Sequence, residues 1–207
     1  MNAILTNTVT DGIYALMLVY FSFQITTHWY KGDRRFNSLI VFFFLTLLAD
    51  ILLGCWAHGV TGIVSDRYLE RLWLAISFVT IFLNYCLIYS IKIPDTARMV
   101  IVVVTLGMLF FFRVFDTFIF IALSMLLTCI VTAYYTKGLA RFGFICIILS
   151  NLIWIFLRLL LEYLLGHEVP AEYRYDNDFY HVLLMISTYI LYKSIWRGDW
   201  ESPTLRD

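Results

Sequence analysis

Seven apolar stretches, each ended by a short charged or proline-bearing segment, restrict this chain to one kind of architecture. They cover residues of about 11–30, 36–59, 68–91, 97–112, 117–136, 139–165 and 177–196. A helix crosses a bilayer with about 20 mostly apolar residues, within a range of about 17–25. The fourth stretch is short, and residues 113–116 leave room only for a tight turn before the fifth. Lys137-Gly138 separates the fifth from the sixth, and Pro94, Pro170 and Pro203 all lie outside the stretches, as helix boundaries require. The predicted fold is therefore all-α: one polytopic membrane domain over residues 1–207 with seven transmembrane helices. No internal repeat or soluble domain is visible.

Composition supports this. The chain is 61% hydrophobic and 14% charged, whereas a soluble domain is about 45–50% apolar and about 25% charged. Its 18 Phe and 14 Tyr exceed what one soluble core of 207 residues would bury. Net charge is zero and no basic stripe is present, which argues against nucleic acid as a partner. The first residues lack the basic region of a cleaved signal, so the first stretch is expected to persist as a helix. Cys55, Cys86, Cys129 and Cys146 fall inside apolar stretches and read as small buried residues, not as a disulfide framework.

Positive charge sets orientation. Lys31, Arg34, Arg35, Lys92, Arg98, Lys137, Arg141, Lys193, Arg197 and Arg206 fall on one side, and Arg67, Arg71, Arg113 and Arg174 on the other. This predicts the N-terminus outside and the C-terminus inside, with Trp29, Tyr30, Tyr134, Tyr135, Trp196 and Trp200 as aromatic anchors at the inner boundary.

Polar groups inside such stretches are costly and call for compensation. In Asn177-Asp178-Phe179-Tyr180-His181, Asp178 is three residues and Asn177 four residues before His181, so all three share a helical face. With the orientation above, Asp11, His58, Glu162, Asp178 and His181 all fall near the outer surface. Asp50 lies eight residues before His58, on the same face with Gly54 between them, and roughly 12 Å deeper.

One reading is a metal site. Zinc takes His nitrogens and carboxylate oxygens, and a catalytic site leaves one position open. His58, Asp178 and His181 would be its ligands, with Asp50, Asp11 or Glu162 as general base or supporting group. Zinc lowers the pKa of water to about 7, which supplies a nucleophile for an amide or ester carbonyl. The other reading is that these groups pair among themselves, with Asp178 and Asp11 as helix N-terminal residues. Arg158 and Glu162, four apart, suit an internal salt bridge. Asn84 and Asn151 suit interhelical hydrogen bonds. Phe42-Phe43-Phe44 and Phe110-Phe111-Phe112 are expected to pack or to face lipid.

A His ending the second helix and a His motif opening the seventh resemble the CREST superfamily, which includes alkaline ceramidases and the progestin and adiponectin receptors. That family carries SxxxH in its second helix, HxxxH in its seventh and an Asp near its third. Here the matches are His58 in Gly54-Cys55-Trp56-Ala57-His58 and His181 in Asn177-Asp178-Phe179-Tyr180-His181, with Asp66 in a loop for the Asp. Gly54 stands for the Ser and Asn177 for the first His; Asp178 can replace that His only if a turn of about 100° still faces the site, and with Asn177 as the metal ligand instead the site would bind zinc more weakly or bind something else. Thr10-Asp11 together with the Asn-Asp-x-x-His opening also resembles a bacterial branch related to that superfamily.

The resemblance implies zinc, a lipid substrate or ligand, and residence in a bacterial inner or cell membrane. Three functions stay open at this point. They are a ceramidase-like metal-dependent hydrolase of a lipid amide or ester, a non-catalytic seven-helix receptor for a lipid or other ligand, and an ion-coupled transporter relaying through Asp50, Arg158 and Glu162.

Overall fold

The computed structural model describes residues 3–33, 35–115, 118–166 and 174–200, and these form seven α-helices without a strand among them. They are α1 (Ala3–Tyr30), α2 (Ser38–Val60), α3 (Asp66–Ser90), α4 (Asp95–Phe115), α5 (Ile119–Tyr135), α6 (Gly138–Leu165) and α7 (Tyr175–Arg197). The expected helix start at 117, the acidic segment around Pro170, and Arg34, Pro203 and Arg206 lie outside the described residues. Five helices, α1 to α4 and α6, are long and apolar enough to cross a membrane. α5 is a shorter apolar helix of 17 residues, and α7 carries Asp176 and Asp178 in its first turn and Arg197 in its last. The outer surface is apolar: Leu16 is 72% exposed, Phe156 64% and Val103 63%. A surface of that kind belongs in lipid, and the protein is membrane-embedded.

The helices close into a ring in the order α1, α2, α3, α5, α6, α7 and back to α1, while α4 packs outside against α3 and α5. Each ring helix turns one stripe inward. On α1 this is Ile4, Asn7, Asp11 and Tyr14, a spacing of three and four residues that holds one face. The stripes enclose a cavity of about 520 Å³. Below it the core closes with Phe21 stacked on Tyr192 at 4.1 Å between ring centroids, and with Phe44 edge-on to Phe21.

Helix limits differ from expectation where polar side chains serve the helix itself. α1 starts at Ala3, eight residues before the expected limit. The Thr8 hydroxyl donates to the Ile4 carbonyl, those of Thr6 and Thr10 donate to α7, and Asn7 and Asp11 are buried inside the ring. Asp66, expected in a loop, is the first residue of α3. α2 starts where Asn37 Oδ1 accepts from the Ile40 amide at 2.9 Å. α6 and α7 stop at Gly166 and Gly198, which adopt left-handed φ values of 69° and 74°. In the turn after α1, the Arg35 guanidinium hydrogen-bonds Asp33 and holds its carboxyl below the usual carboxylate range.

Trp200 departs most from its expected role. It is not a lipid-facing anchor but is 2% exposed, packed against Phe43 and Phe144. Its Nε1 donates to the Ser90 carbonyl at 3.2 Å. The neighbouring Asp199 carboxylate accepts from the Leu139 amide at the start of α6, at 2.9 Å. The chain after α7 thus plugs the lower end of the ring, the end opposite the start of α1.

α6 and α7 approach closely at Gly143. A Cβ there would lie 2.6 Å from Leu191 Cδ2 and 3.3 Å from Ile190 Cγ2. Gly143→Val should destabilise the bundle by roughly 1–3 kcal/mol through overpacking, with Leu191→Ala restoring part of the loss. Thermal unfolding in detergent measures both, and an unshifted midpoint for Gly143→Val would mean that the two helices do not meet there.

Candidate metal centre

At the upper end of the ring, where α1 starts, α2 ends and α7 starts, three side chains converge. Asp11 of α1, His58 of α2 and His181 of α7 place one ligand atom each within 4.8 Å of one another. Asp11 Oδ1 lies 3.0 Å from His181 Nδ1, and Asp11 Oδ2 lies 3.9 Å from His58 Nε2. The two imidazole centroids are 6.2 Å apart. Asp11 and His181 are buried, and His58 is half-buried against Trp73 of α3, edge to face at 5.6 Å.

α-Helical spacing explains how these three meet. Asp11 belongs to the inward stripe of α1, and His58 is one turn past Gly54 on the inward stripe of α2. Gly54 has no side chain to separate them: a Cβ there would touch Asp11 Oδ2 at 3.6 Å. On α7, Asn177 and Asp178 diverge by about 100° around the helix axis and flank His181. Asn177 turns to α6, where its Oδ1 accepts from Trp154 Nε1 at 2.8 Å. Asp178 turns to α1, where its two oxygens accept from the hydroxyls of Thr6 and Thr10. His181 between them faces the cavity.

The carboxylate of the cluster is therefore Asp11, and not Asp178 as the motif spacing suggested. Asp178 ties α7 to α1, and Asn177 ties α7 to α6. Glu162 is also outside the cluster: its Oε1 accepts from Arg158 Nε at 3.0 Å, the salt bridge expected from their spacing. Asp50 lines the same cavity one level deeper and accepts from Thr80. Asn84 and Asn151 bridge helices as expected, to Ser124 of α5 and Tyr180 of α7 respectively. Two cavity-wall groups were not singled out in the sequence. Glu70 is a carboxylate one turn into α3. Asn7 is buried one turn above Asp11, with its amide nitrogen donating to the Arg174 carbonyl at 3.4 Å.

Two His and one carboxylate fit zinc as a donor set. A further observation favours an ion: Asp11 Oδ2 is buried without a hydrogen-bond partner among the described residues. A carboxylate oxygen held in that state costs free energy unless a cation compensates it.

Asp178→Ala separates the two carboxylate roles. It should remove the acceptor of two hydroxyls and destabilise the protein by about 1–3 kcal/mol, while metal content stays at the wild-type level. Loss of metal from folded Asp178→Ala protein would return Asp178 to the ligand set. The chain matches no protein-family model, no curated protein and no solved structure.

Proposed function

We propose that this is an integral-membrane, zinc-dependent hydrolase acting on a lipid amide or ester, related to the CREST superfamily. In this reading all seven helices cross the bilayer with the N-terminus outside and the C-terminus inside, so the site lies near the outer leaflet. The observation that carries it is the convergence of Asp11, His58 and His181 on the wall of a mostly apolar cavity. These three residues would hold the ion, which supplies a nucleophile from water near neutral pH and polarises a carbonyl.

The chain's own residues do the rest. The apolar wall, including Leu47, Ile51 and Leu83, accepts an acyl chain and keeps bulk water from it. Trp73 covers one side of His58 and limits its rotation. Thr10 Oγ1, 3.4 Å from His181 Nδ1, buttresses that ring from α1. Asp66 and Glu70 of α3 add two exposed carboxylates to the cavity wall.

Metal analysis of the purified protein tests the proposal. About one zinc per chain is expected, and none in the His58→Ala, His181→Ala double variant. A wild-type protein without zinc, or a double variant with undiminished zinc, would overturn it. A second reading, a non-catalytic lipid receptor, draws on Asn177, which stands where the family has a His and is engaged by Trp154. Lipid turnover lost in His181→Ala selects the enzyme. Intact lipid binding without turnover in the wild type selects the receptor.

A further inference from the structure

Below the cluster the cavity continues along α2 through Gly54, Asp50 and Leu47 to Phe43. From His58 to Phe43 is fifteen residues, or about 22 Å of helix. The wall of that depth is mostly apolar; besides Asp50 and Thr80 of α3 it carries Tyr14, Thr188, Asn151 and Tyr180, of which Tyr14 pairs with Thr188 and Tyr180 donates to Asn151. The Asp50–Thr80 pair is short of donors. Thr80 Oγ1 lies 3.1 and 3.2 Å from the two Asp50 oxygens and 3.0 Å from the Ile76 carbonyl. A hydroxyl has one proton, so three acceptor atoms compete for it. Among the described residues no Lys, Arg or His is in ion-pair contact with Asp50. The two Arg side chains on the cavity wall, Arg158 and Arg174, come from the upper ends of α6 and α7. Asp50 is half-buried and open to the cavity, so a donor that enters the cavity can reach a carboxyl that has at most one shared donor from the protein. On α2, Gly54, midway between Asp50 and His58, adds no side chain to the wall.

We infer that Asp50 is a second recognition point in the cavity, and that the preferred ligand is a long-chain amphiphile carrying a hydrogen-bond donor, a hydroxyl or an amine, about 12 Å along its chain from the group at the metal cluster. This rests on the proposed lipid-hydrolase reading and narrows its substrate class. A plain saturated chain would fill the same space but leave the Asp50 carboxyl without its donor. A chain with a donor at that depth satisfies it. Asp50 here is a specificity-determining residue and takes no part in bond cleavage.

The test uses three compounds: a saturated fatty amide, the same amide with a mid-chain hydroxyl, and the same amide with a mid-chain primary amine. Each competes with a fluorescent acyl probe for the full-length protein in detergent micelles. The hydroxyl and amine compounds should bind wild type roughly tenfold or more tightly than the plain amide, as a hydrogen bond to a charged group warrants. Asp50→Leu should abolish the preference for both. Asp50→Asn, which keeps an acceptor without the charge, should retain the hydroxyl preference and lose the amine preference, and it decides the matter if Asp50→Leu fails to fold. Equal binding of the three compounds to wild type, binding of none of them, or a preference that persists in Asp50→Leu would overturn the inference. A protein that holds no zinc yet shows the preference would refute the metal reading alone, and a zinc protein without the preference would refute this inference alone.

Discussion

If the proposed zinc hydrolase reading holds, Asp11→Ala is expected to lose zinc binding and to lower lipid hydrolysis by at least about 100-fold, the upper range seen even for outer partners of metal ligands. The cause is the position of Asp11 between the two imidazoles: Oδ1 is 3.0 Å from His181 and Oδ2 3.9 Å from His58. Removing it leaves two imidazole donors from two different helices, which would hold zinc far less tightly than three ligands. The fold should tolerate the change, because in the absence of an ion Asp11 is a buried carboxylate with one oxygen unpartnered. Asp11→Ala protein without metal should therefore be no less stable than wild type stripped by a chelator. Metal content, turnover and thermal midpoint measured on the same preparations check all three expectations. Retention of stoichiometric zinc by Asp11→Ala would remove Asp11 from the site.

The second large effect concerns the opposite end of the ring. Trp200→Ala should destabilise the protein by about 3–5 kcal/mol, the range for emptying a buried aromatic site, and lower the thermal midpoint by on the order of 10 °C. Trp200 fills the space between Phe43 of α2 and Phe144 of α6 and hydrogen-bonds Ser90 at the end of α3, so one side chain joins three helices. Trp200→Phe keeps most of the packing and forfeits the hydrogen bond, at roughly 1 kcal/mol. The order wild type, Trp200→Phe, Trp200→Ala in midpoint is the expected result. A neutral Trp200→Ala would mean that the indole lies in lipid as an ordinary anchor.

The helix count and the common level of Asp11, His58 and His181 were legible from the sequence, because both follow from apolar run length and loop position. The Arg158–Glu162 pair was legible for a similar reason: it depends only on spacing within one helix. What the pattern left open was the rotation of each helix about its axis. Asp178 and Asp11 both carry a carboxylate and lie near the same level. Which of them meets the imidazoles depends on how α7 packs between α1 and α6, and the hydroxyls of Thr6 and Thr10 claim Asp178 first. The early part of α1 read as polar because Thr, Asn and Asp disfavour helix interiors in water. In the ring those groups are absorbed by neighbours. Trp200 read as an anchor because aromatic residues past the last helix usually stop at the interface. Its burial depends on a hollow that only the assembled α2, α3 and α6 provide.

The ligands of the cluster come from the first, second and seventh helices, and His181 follows Asp11 by 170 positions. At synthesis rates of about 5–20 residues per second, roughly 10–30 s separate the emergence of the two. Throughout that interval Asp11 and His58 are in the membrane without the helix that completes their surroundings, and Thr6 and Thr10 lack Asp178 as an acceptor. The nascent bundle therefore carries an open polar seam along α1 until its final helix arrives. On the proposed reading, metal acquisition belongs to the end of biogenesis, and a bundle without α7 would leave that seam open to lipid and to quality control.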